Sequence, residues 1–176
     1  MDVILSHEQA DFDAIAALLG AHILHDCAIP ILPRKTNKNV KDFLRLYASD
    51  LPFIQMADAP KKAIKSVTLV DTQSLVTLKG FSARTEVTAI DHHPKRQDTP
   101  QKWNFQFVPY GATTTYFVEQ IMDRNNYHLN VVEATLLLLG IYEDTGTLTY
   151  TNKTAHDASA VAYLLSKNAN LEIATQ

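Results

Sequence analysis

A short apolar run that ends in two histidines decides the fold of this sequence: Val87-Thr88-Ala89-Ile90-Asp91-His92-His93. Its first four residues are rich in β-branched side chains and predict a buried strand. A carboxylate and two imidazoles then follow the strand directly. Open parallel sheets bind their ligands at the carboxyl ends of their strands. The Asp-His-His segment is therefore the first candidate for a functional site.

Strand-like and helix-like segments alternate on both sides of this run. Further strands are predicted at residues 2–6, 28–32 and 66–70, with an edge strand at 105–108. Helical spacing of apolar residues follows the first strand and recurs at residues 40–47, 113–124 and 131–142. A last helix begins near Ala155, where Thr154 and Asp157 form a capping box. The alternation predicts a three-layer α/β fold with a mainly parallel sheet flanked by helices.

Composition and length fit one globular domain over residues 1–176. Hydrophobic residues make up 46% of the 176 residues, which excludes a long disordered tail. The single cysteine, Cys27, excludes an intramolecular disulfide and a Cys-rich zinc module. No basic region precedes the first apolar run, and no apolar run approaches the roughly 18 residues of a membrane span. We expect a cytoplasmic domain without a membrane partner.

Positive charge collects in residues 34–65. This segment holds eight basic and three acidic residues, although the whole chain has a formal net charge of −3. A basic segment in an acidic domain can steer an anionic substrate towards its site. A solvated helix face has the same composition, and the sequence leaves both interpretations open.

Acids and histidines collect after the predicted strands and after one apolar helix. They lie in four separate segments and comprise His7, Asp11, Asp13, Asp71, Asp91, His92, His93 and Asp144. One aspartate after a strand is ordinarily a turn former or a helix cap. Many polar groups converging on one edge need a cation instead. Carboxylate and imidazole ligands without thiolate suit Mn²⁺, with Mg²⁺, Fe²⁺, Co²⁺ or Zn²⁺ as alternatives.

The order and spacing of these residues resemble the DHH phosphoesterase superfamily. Its first motif, His-x-x-x-Asp-x-Asp, is matched by His7, Asp11 and Asp13, and its second, an aspartate after a strand, by Asp71. Its third is Asp91-His92-His93, and its fourth, Gly-x-x-x-Asp, is matched by Gly140 and Asp144. The superfamily includes RecJ exonucleases, nanoRNA and cyclic-dinucleotide phosphodiesterases, exopolyphosphatases and family II inorganic pyrophosphatases.

The resemblance implies a two-metal hydrolase site. One ion would be held by His7, Asp11 and Asp71, and the other by Asp13, Asp71, His92 and Asp144, with Asp71 bridging. The resemblance further implies that His93 contacts the phosphate and that Asp91 orients a neighbouring group, so that Asp71, Asp91 and His93 form the catalytic set. Thr113 and Thr114 are expected to bind substrate through the amides of a Ser/Thr-rich turn, with simple helix capping as the alternative.

DHH enzymes generally close their cleft with a second, C-terminal domain that often carries a Gly-Gly-rich loop. No two of the five glycines here are adjacent, so we expect the chain to be the catalytic part of a longer protein. Residues 33–44 and 51–53 resemble DHH domains that precede CBS domains and a tRNA nucleotidyltransferase. The expected partners are a phosphorylated small molecule or short oligonucleotide. An alternative function is non-catalytic binding of nucleotide, RNA or tRNA within such a parent protein.

Overall fold

The computed structural model describes residues 1–124 and 126–174, and its centre is a six-stranded parallel sheet. The order across the sheet is β3-β2-β1-β4-β5-β6. The strands are β1 (Asp2–Leu5), β2 (Ile29–Leu32), β3 (Ile54–Gln55), β4 (Ser66–Val70), β5 (Glu86–Asp91) and β6 (Asn104–Phe107). The predicted three-layer α/β fold is confirmed. The short strand β3 was not predicted.

Five α-helices accompany the sheet: α1 (Phe12–Leu24), α2 (Lys38–Tyr47), α3 (Thr113–Arg124), α4 (Val131–Thr145) and α5 (Ala155–Ser166). The predicted capping box at the start of α5 is present. Helix α4 runs three residues beyond the prediction and ends at Gly146, whose φ of +54° suits glycine. Asp144 therefore lies in the last turn of α4 and not in the loop beyond it.

The two faces of the sheet are covered differently. Buried residues of all five helices pack with Ile4, Leu32 and Val70 on one face. On the other face, side chains from the connections between strands, such as Leu78 and Trp103, pack against Val67 and other strand residues. Right-handed crossovers place α1 and α2 on one face and the connections after β4 and β5 on the other, because the chain runs one way from β1 to β3 and the other way from β4 to β6. Helices α3, α4 and α5 follow the last strand and pack on the face that α1 covers.

The direction of winding reverses between β1 and β4, which are neighbours in the sheet. Loops that leave these two strands diverge to opposite faces and leave a crevice between them. The loop after β1 begins at Ser6, and the segment after β4 begins at Asp71. The fold thus brings the first and second predicted motifs to one point.

Within residues 1–124 and 126–174, every helix is too short or too polar to cross a bilayer.

Candidate metal centre

Five parts of the fold deliver the predicted ligands to the crevice. The loop after β1 carries His7 and Asp11, and the first turn of α1 carries Asp13. Asp71 follows β4 directly, His92 follows β5, and Asp144 comes from the last turn of α4. Close packing holds α4 in place, since a Cβ on Gly140 would lie only 2.6 Å from the Cβ of Ala16 in α1.

A first group of ligand atoms is formed by His7, Asp11 and Asp71, which all lie within 4.8 Å of one another. His7 Nε2 is 3.5 Å from Asp71 Oδ2, while its Nδ1 is 2.9 Å from the carbonyl oxygen of Glu8. A proton on Nδ1 is therefore donated to that carbonyl, and Nε2 is directed at the group. This is how metal-binding histidines are commonly held.

A second group is formed by Asp13, His92 and Asp144, again within 4.8 Å of one another. His92 Nε2 lies 3.1 Å from Asp144 Oδ2 and 3.7 Å from Asp71 Oδ1. Neither contact has hydrogen-bond geometry, so this buried nitrogen has no hydrogen-bond partner. Its Nδ1 lies 3.3 Å from the carbonyl oxygen of Tyr110. A buried, unpartnered nitrogen among carboxylates fits a cation ligand.

The electrostatics of the cluster show a shortage of positive charge. Burial raises the pKa of Asp71 and, well above its usual value, the pKa of Asp13. A hydrogen bond to Asp71 raises the pKa of His7 to about 9. Burial opposes the charged form of His92, but Asp144, Asp13 and Asp71 outweigh it and raise its pKa to about 9. The carboxylates attract protons in the way that they would attract divalent cations.

The Ser/Thr-rich turn supports two of the carboxylates. The amides of Thr113 and Thr114 donate to Asp13 Oδ2 and Oδ1, both at 2.8 Å. The Thr113 hydroxyl donates to Asp71 Oδ1 at 3.0 Å. Both threonines are fully buried. Both amides already donate to Asp13, as the amides at the start of a capped helix do, so the turn fits the helix-capping alternative. The threonines position Asp13 and Asp71 in place of the substrate contact that the resemblance implied.

A further buried carboxylate, Asp157, fixes this turn. It accepts from the Gly111 amide at 3.0 and 3.1 Å and from the Thr115 hydroxyl at 2.6 Å. It also accepts from the amide and hydroxyl of Thr154 in the capping box of α5. The capping role was predicted, but the contacts with Gly111 and Thr115 were not.

Asp91 and His93 form a third candidate group with Asp71 and His92, and within it Asp91 orients His93. Its Oδ1 accepts from the His93 amide at 2.9 Å and is 2.9 Å from His93 Nδ1. Its Oδ2 accepts from Gln73 Nε2 at 3.0 Å. Asp91 is buried, whereas 63% of the His93 side chain is exposed. A proton on Nδ1 is donated to Asp91, which leaves Nε2 of His93 as the nitrogen available to a ligand.

Gln73 and Glu143 are site residues that the sequence analysis missed. Gln73 is buried and also accepts from the Arg96 amide at 2.8 Å and the Thr99 hydroxyl at 2.7 Å. Glu143 accepts from the Phe12 amide at the start of α1, and burial raises its pKa. Each residue lies near a predicted ligand in the sequence, Gln73 two residues after Asp71 and Glu143 directly before Asp144, but no motif singles either of them out.

An open cleft of about 580 Å³ exposes the site. Its lining contains the whole first ligand group, Asp144 of the second group, the Asp91–His93 pair and one arginine: His7, Asp11, Asp71, Thr72, Gln73, Ser74, Asp91, His93, Arg96 and Asp144. The volume suits a ligand of nucleotide size.

Comparison with known proteins assigns the family. The model of the DHH family, N-terminal domain, matches residues 3–141. The chain belongs to the DHH family. DHH phosphoesterases depend on divalent metals, and this member has acidic and histidine groups placed for metal binding. The assignment supports a phosphoesterase-type hydrolase function.

Two kinds of curated relative match this DHH chain. The A-adding tRNA nucleotidyltransferase of Geobacter sulfurreducens is 35% identical over 179 residues, covering 98% of this chain and 20% of that protein. The corresponding enzyme of Aquifex aeolicus is 33% identical, with 96% and 20% covered. The bifunctional oligoribonuclease and PAP phosphatase NrnA of Mycoplasma genitalium is 27% identical, with 97% and 54% covered. The chain thus spans about a fifth to a half of these relatives.

Solved structures show the same DHH fold. A Methanococcus jannaschii protein assigned as a family II inorganic pyrophosphatase has a TM-score of 0.68 at 24% identity, covering 99% of this chain and 56% of that one. An exopolyphosphatase-related protein from Bacteroides fragilis has a TM-score of 0.67 at 22% identity, with 98% and 54% covered.

Proposed function

We propose that this DHH chain hydrolyses a phosphodiester or phosphoanhydride with the help of two divalent cations, preferably Mn²⁺. The observation that supports the proposal is the pair of ligand groups at one crevice, with the buried carboxylate of Asp71 3.5 Å from His7 of the first group and 3.7 Å from His92 of the second. Proposed substrates are a short oligonucleotide, a nucleotide or polyphosphate.

Six side chains would hold the ions. His7, Asp11 and Asp71 would bind the first, and Asp13, His92 and Asp144 the second, with Asp71 facing both. When bound, two such cations neutralise phosphate charge and lower the pKa of water. The charge of the four carboxylates in this set equals and opposes that of two divalent ions, so the loaded site would present no net negative charge to an incoming phosphate. Mg²⁺, Co²⁺, Fe²⁺ and Zn²⁺ accept the same ligands.

The remaining cleft residues would orient the substrate. His93 stands at the exposed side of the cleft and, with both ring nitrogens protonated, would donate from Nε2 to a phosphate oxygen as negative charge develops. Asp91 would hold the His93 ring in that orientation, and Gln73 would hold Asp91. Arg96 lines the same cleft and pairs with Asp98 at 2.7 Å.

Hydrolysis of bis-p-nitrophenyl phosphate and of di- to pentanucleotides tests the proposal. The unaltered chain should be active with Mn²⁺ and inactive with excess EDTA. Asp71→Asn should lower the rate at least about a thousandfold, because the shared ligand is lost. Asp123→Asn makes the same chemical change at an exposed position of α3 and should leave the rate unchanged. An inert, Mn²⁺-loaded chain would contradict hydrolysis.

Thermal melting separates lost chemistry from a lost fold. Burial raises the pKa of Asp71, so its ionised form opposes folding at neutral pH. Without metal, Asp71→Asn should therefore melt no lower than the unaltered chain. A large fall in melting temperature would show that the substitution disrupts the fold.

A second candidate function is binding of nucleotide or RNA without turnover. It is favoured by the two relatives at 33% and 35% identity, which are named for adding A to tRNA and not for hydrolysis. Micromolar nucleotide binding by the metal-loaded chain, without product over hours, would support this candidate.

A further inference from the structure

A second cavity beside the metal cleft is lined by cations. It has a volume of about 490 Å³, and we call it the basic groove. Four basic side chains, Arg34, Lys35, Lys41 and Arg45, line it, and none of its described lining residues is Asp or Glu. It lies between the exit of β2 and helix α2. The positive charge of residues 34–65 is thus partly gathered around one depression.

The basic groove and the metal cleft share a wall. Gln9 lines the groove, while His7 and Asp11, two residues to either side, line the cleft. The Gln9 amide donates to the Lys35 carbonyl at 3.0 Å, and the Asn37 amide donates to the Ala10 carbonyl at 2.9 Å. These bonds tie the loop that holds two proposed ligands to the basic segment, so the two cavities lie on either side of one short loop.

The charge of the groove is only partly neutralised. Arg34 lies 3.6 Å from Glu8, and Arg45 lies 3.4 Å from Asp42. Within the described part of the chain, Lys35 and Lys41 have no carboxylate oxygen within 4.0 Å of their ammonium groups. Both lysines are exposed. The groove therefore presents a positive potential that favours a polyanion.

Apolar side chains in the groove indicate which kind of polyanion it would bind. Leu32, Pro33, Leu44 and Ala48 line it together with the four cations. A nucleic-acid strand offers anionic phosphates alternating with the less polar faces of sugars and bases. Inorganic polyphosphate offers only anionic groups and gains nothing from an apolar surface.

We propose that the basic groove binds the sugar–phosphate backbone of an oligonucleotide whose end occupies the metal cleft. The proposal rests on the proposed function in one respect, the presence of a phosphate at the metal centre. It selects an oligonucleotide as substrate over a mononucleotide or polyphosphate. Affinity should increase with strand length until the groove is filled.

Fluorescence anisotropy with a labelled, phosphorothioate-linked decaribonucleotide tests the groove across a range of salt concentrations. Four phosphate contacts predict a slope of log affinity against log salt of up to about −3. The double variant Lys35→Glu/Lys41→Glu should lower affinity at least about tenfold and reduce the slope by about 1.4. Arg84→Glu/Lys102→Glu is the matched control, because it makes the same charge change at a cavity that also contains Glu86, near the amino ends of β5 and β6.

The outcomes distinguish the two proposals. Loss of affinity in the groove variant alone, with the control pair within about twofold of the unaltered chain, supports strand binding. Equal losses in both variants, or no loss, overturn it. Competition by polyphosphate of equal charge that is as effective as unlabelled oligonucleotide overturns the choice of a nucleic acid. If the unaltered chain does not cleave bis-p-nitrophenyl phosphate with Mn²⁺ but only the groove variant loses affinity, hydrolysis fails and strand binding stands.

Discussion

The residue Asp71 combines an unusual backbone with the central position in the site. Its φ of +54° lies in the left-handed region, which aspartate tolerates better than most residues with a side chain. The strand β4 stops at this point, and the carboxylate meets His7 at 3.5 Å and the Thr113 hydroxyl at 3.0 Å. Uncommon conformations of this kind cluster at functional sites, where surrounding contacts hold them in place.

Asp91 should act on the rate through His93 without acting on metal binding. In Asp91→Asn, a side-chain amide can no longer accept from both the His93 ring and Gln73. We expect kcat to fall about 10–100-fold while the affinity for Mn²⁺ stays within about twofold. Steady-state kinetics and Mn²⁺ titration measure the two effects. A parallel loss of metal affinity would make Asp91 a ligand.

Sequence alone predicted the residues that converge and missed those that hold them. The ligand types and their places after strands indicated a cation site at the sheet edge, and the motif resemblance supplied their grouping. Gln73 and Asp157 could not be assigned in the same way. Gln73 contacts Asp91, 18 residues away in the sequence, and Asp157 contacts Gly111, 46 residues away. No local sequence pattern encodes contacts over such separations.

Among the elements, the crossing of α1 and α4 sets the position of Asp144. Alanine at Gly140 would favour helix formation by about 1 kcal/mol, but its Cβ would lie 2.6 Å from Ala16 Cβ and 2.8 Å from Thr114 Oγ1. We expect Gly140→Ala to lower the free energy of unfolding by about 1–3 kcal/mol and to weaken Mn²⁺ binding. Denaturant unfolding and Mn²⁺ titration measure both.

Gly20→Ala is the matched control for this crossing. Its Cβ would lie 2.5 Å from Phe117 Cβ, between α1 and α3, so it should also destabilise the chain. Gly20 lies in the later turns of α1, whereas Asp13 lies in its first turn. Metal affinity should therefore stay unchanged. If both variants lose metal affinity equally, the effect of Gly140→Ala is general destabilisation.

A hydrogen bond between Tyr127 and Glu133, in the first turn of α4, should make the stability of the fold fall in alkali. Burial and a 2.8 Å hydrogen bond to Glu133 raise the pKa of Tyr127 from 10.0 to about 12. Between these values the unfolded chain loses the tyrosine proton and the folded chain keeps it, so stability is complete below pH 10 and falls as the pH rises towards 12. Denaturant unfolding of Tyr127→Phe should show a shallower fall. An identical pH profile would contradict this role.

Among the strands and helices, the sequence predicted the long elements better than the short ones. Apolar runs and helical spacing gave the five longer strands and five helices. Strand β3 has only the two residues Ile54–Gln55, too few to show an alternating pattern. The end of α4 was misplaced because Asp144 resembles a loop residue, although it completes the last helical turn.

The whole molecule places opposite charges on either side of one loop. Carboxylates from both halves of the sheet meet at the reversal between β1 and β4, and the cationic segment after β2 adjoins the same loop. The net charge of −3 is a sum over the whole chain and does not reveal that acidic and basic groups are separated in this way. The sequence showed the basic segment, but its place beside the ligands follows from the strand order.

The central claim is that the crevice holds two divalent cations in two defined ligand sets. Anomalous diffraction from crystals of the chain grown with Mn²⁺ tests it most directly. We expect two Mn²⁺ peaks, one bounded by His7, Asp11 and Asp71 and the other by Asp13, His92 and Asp144, about 3.5–4 Å apart. A single peak, or peaks held by Asp91 and His93 instead, would contradict the account.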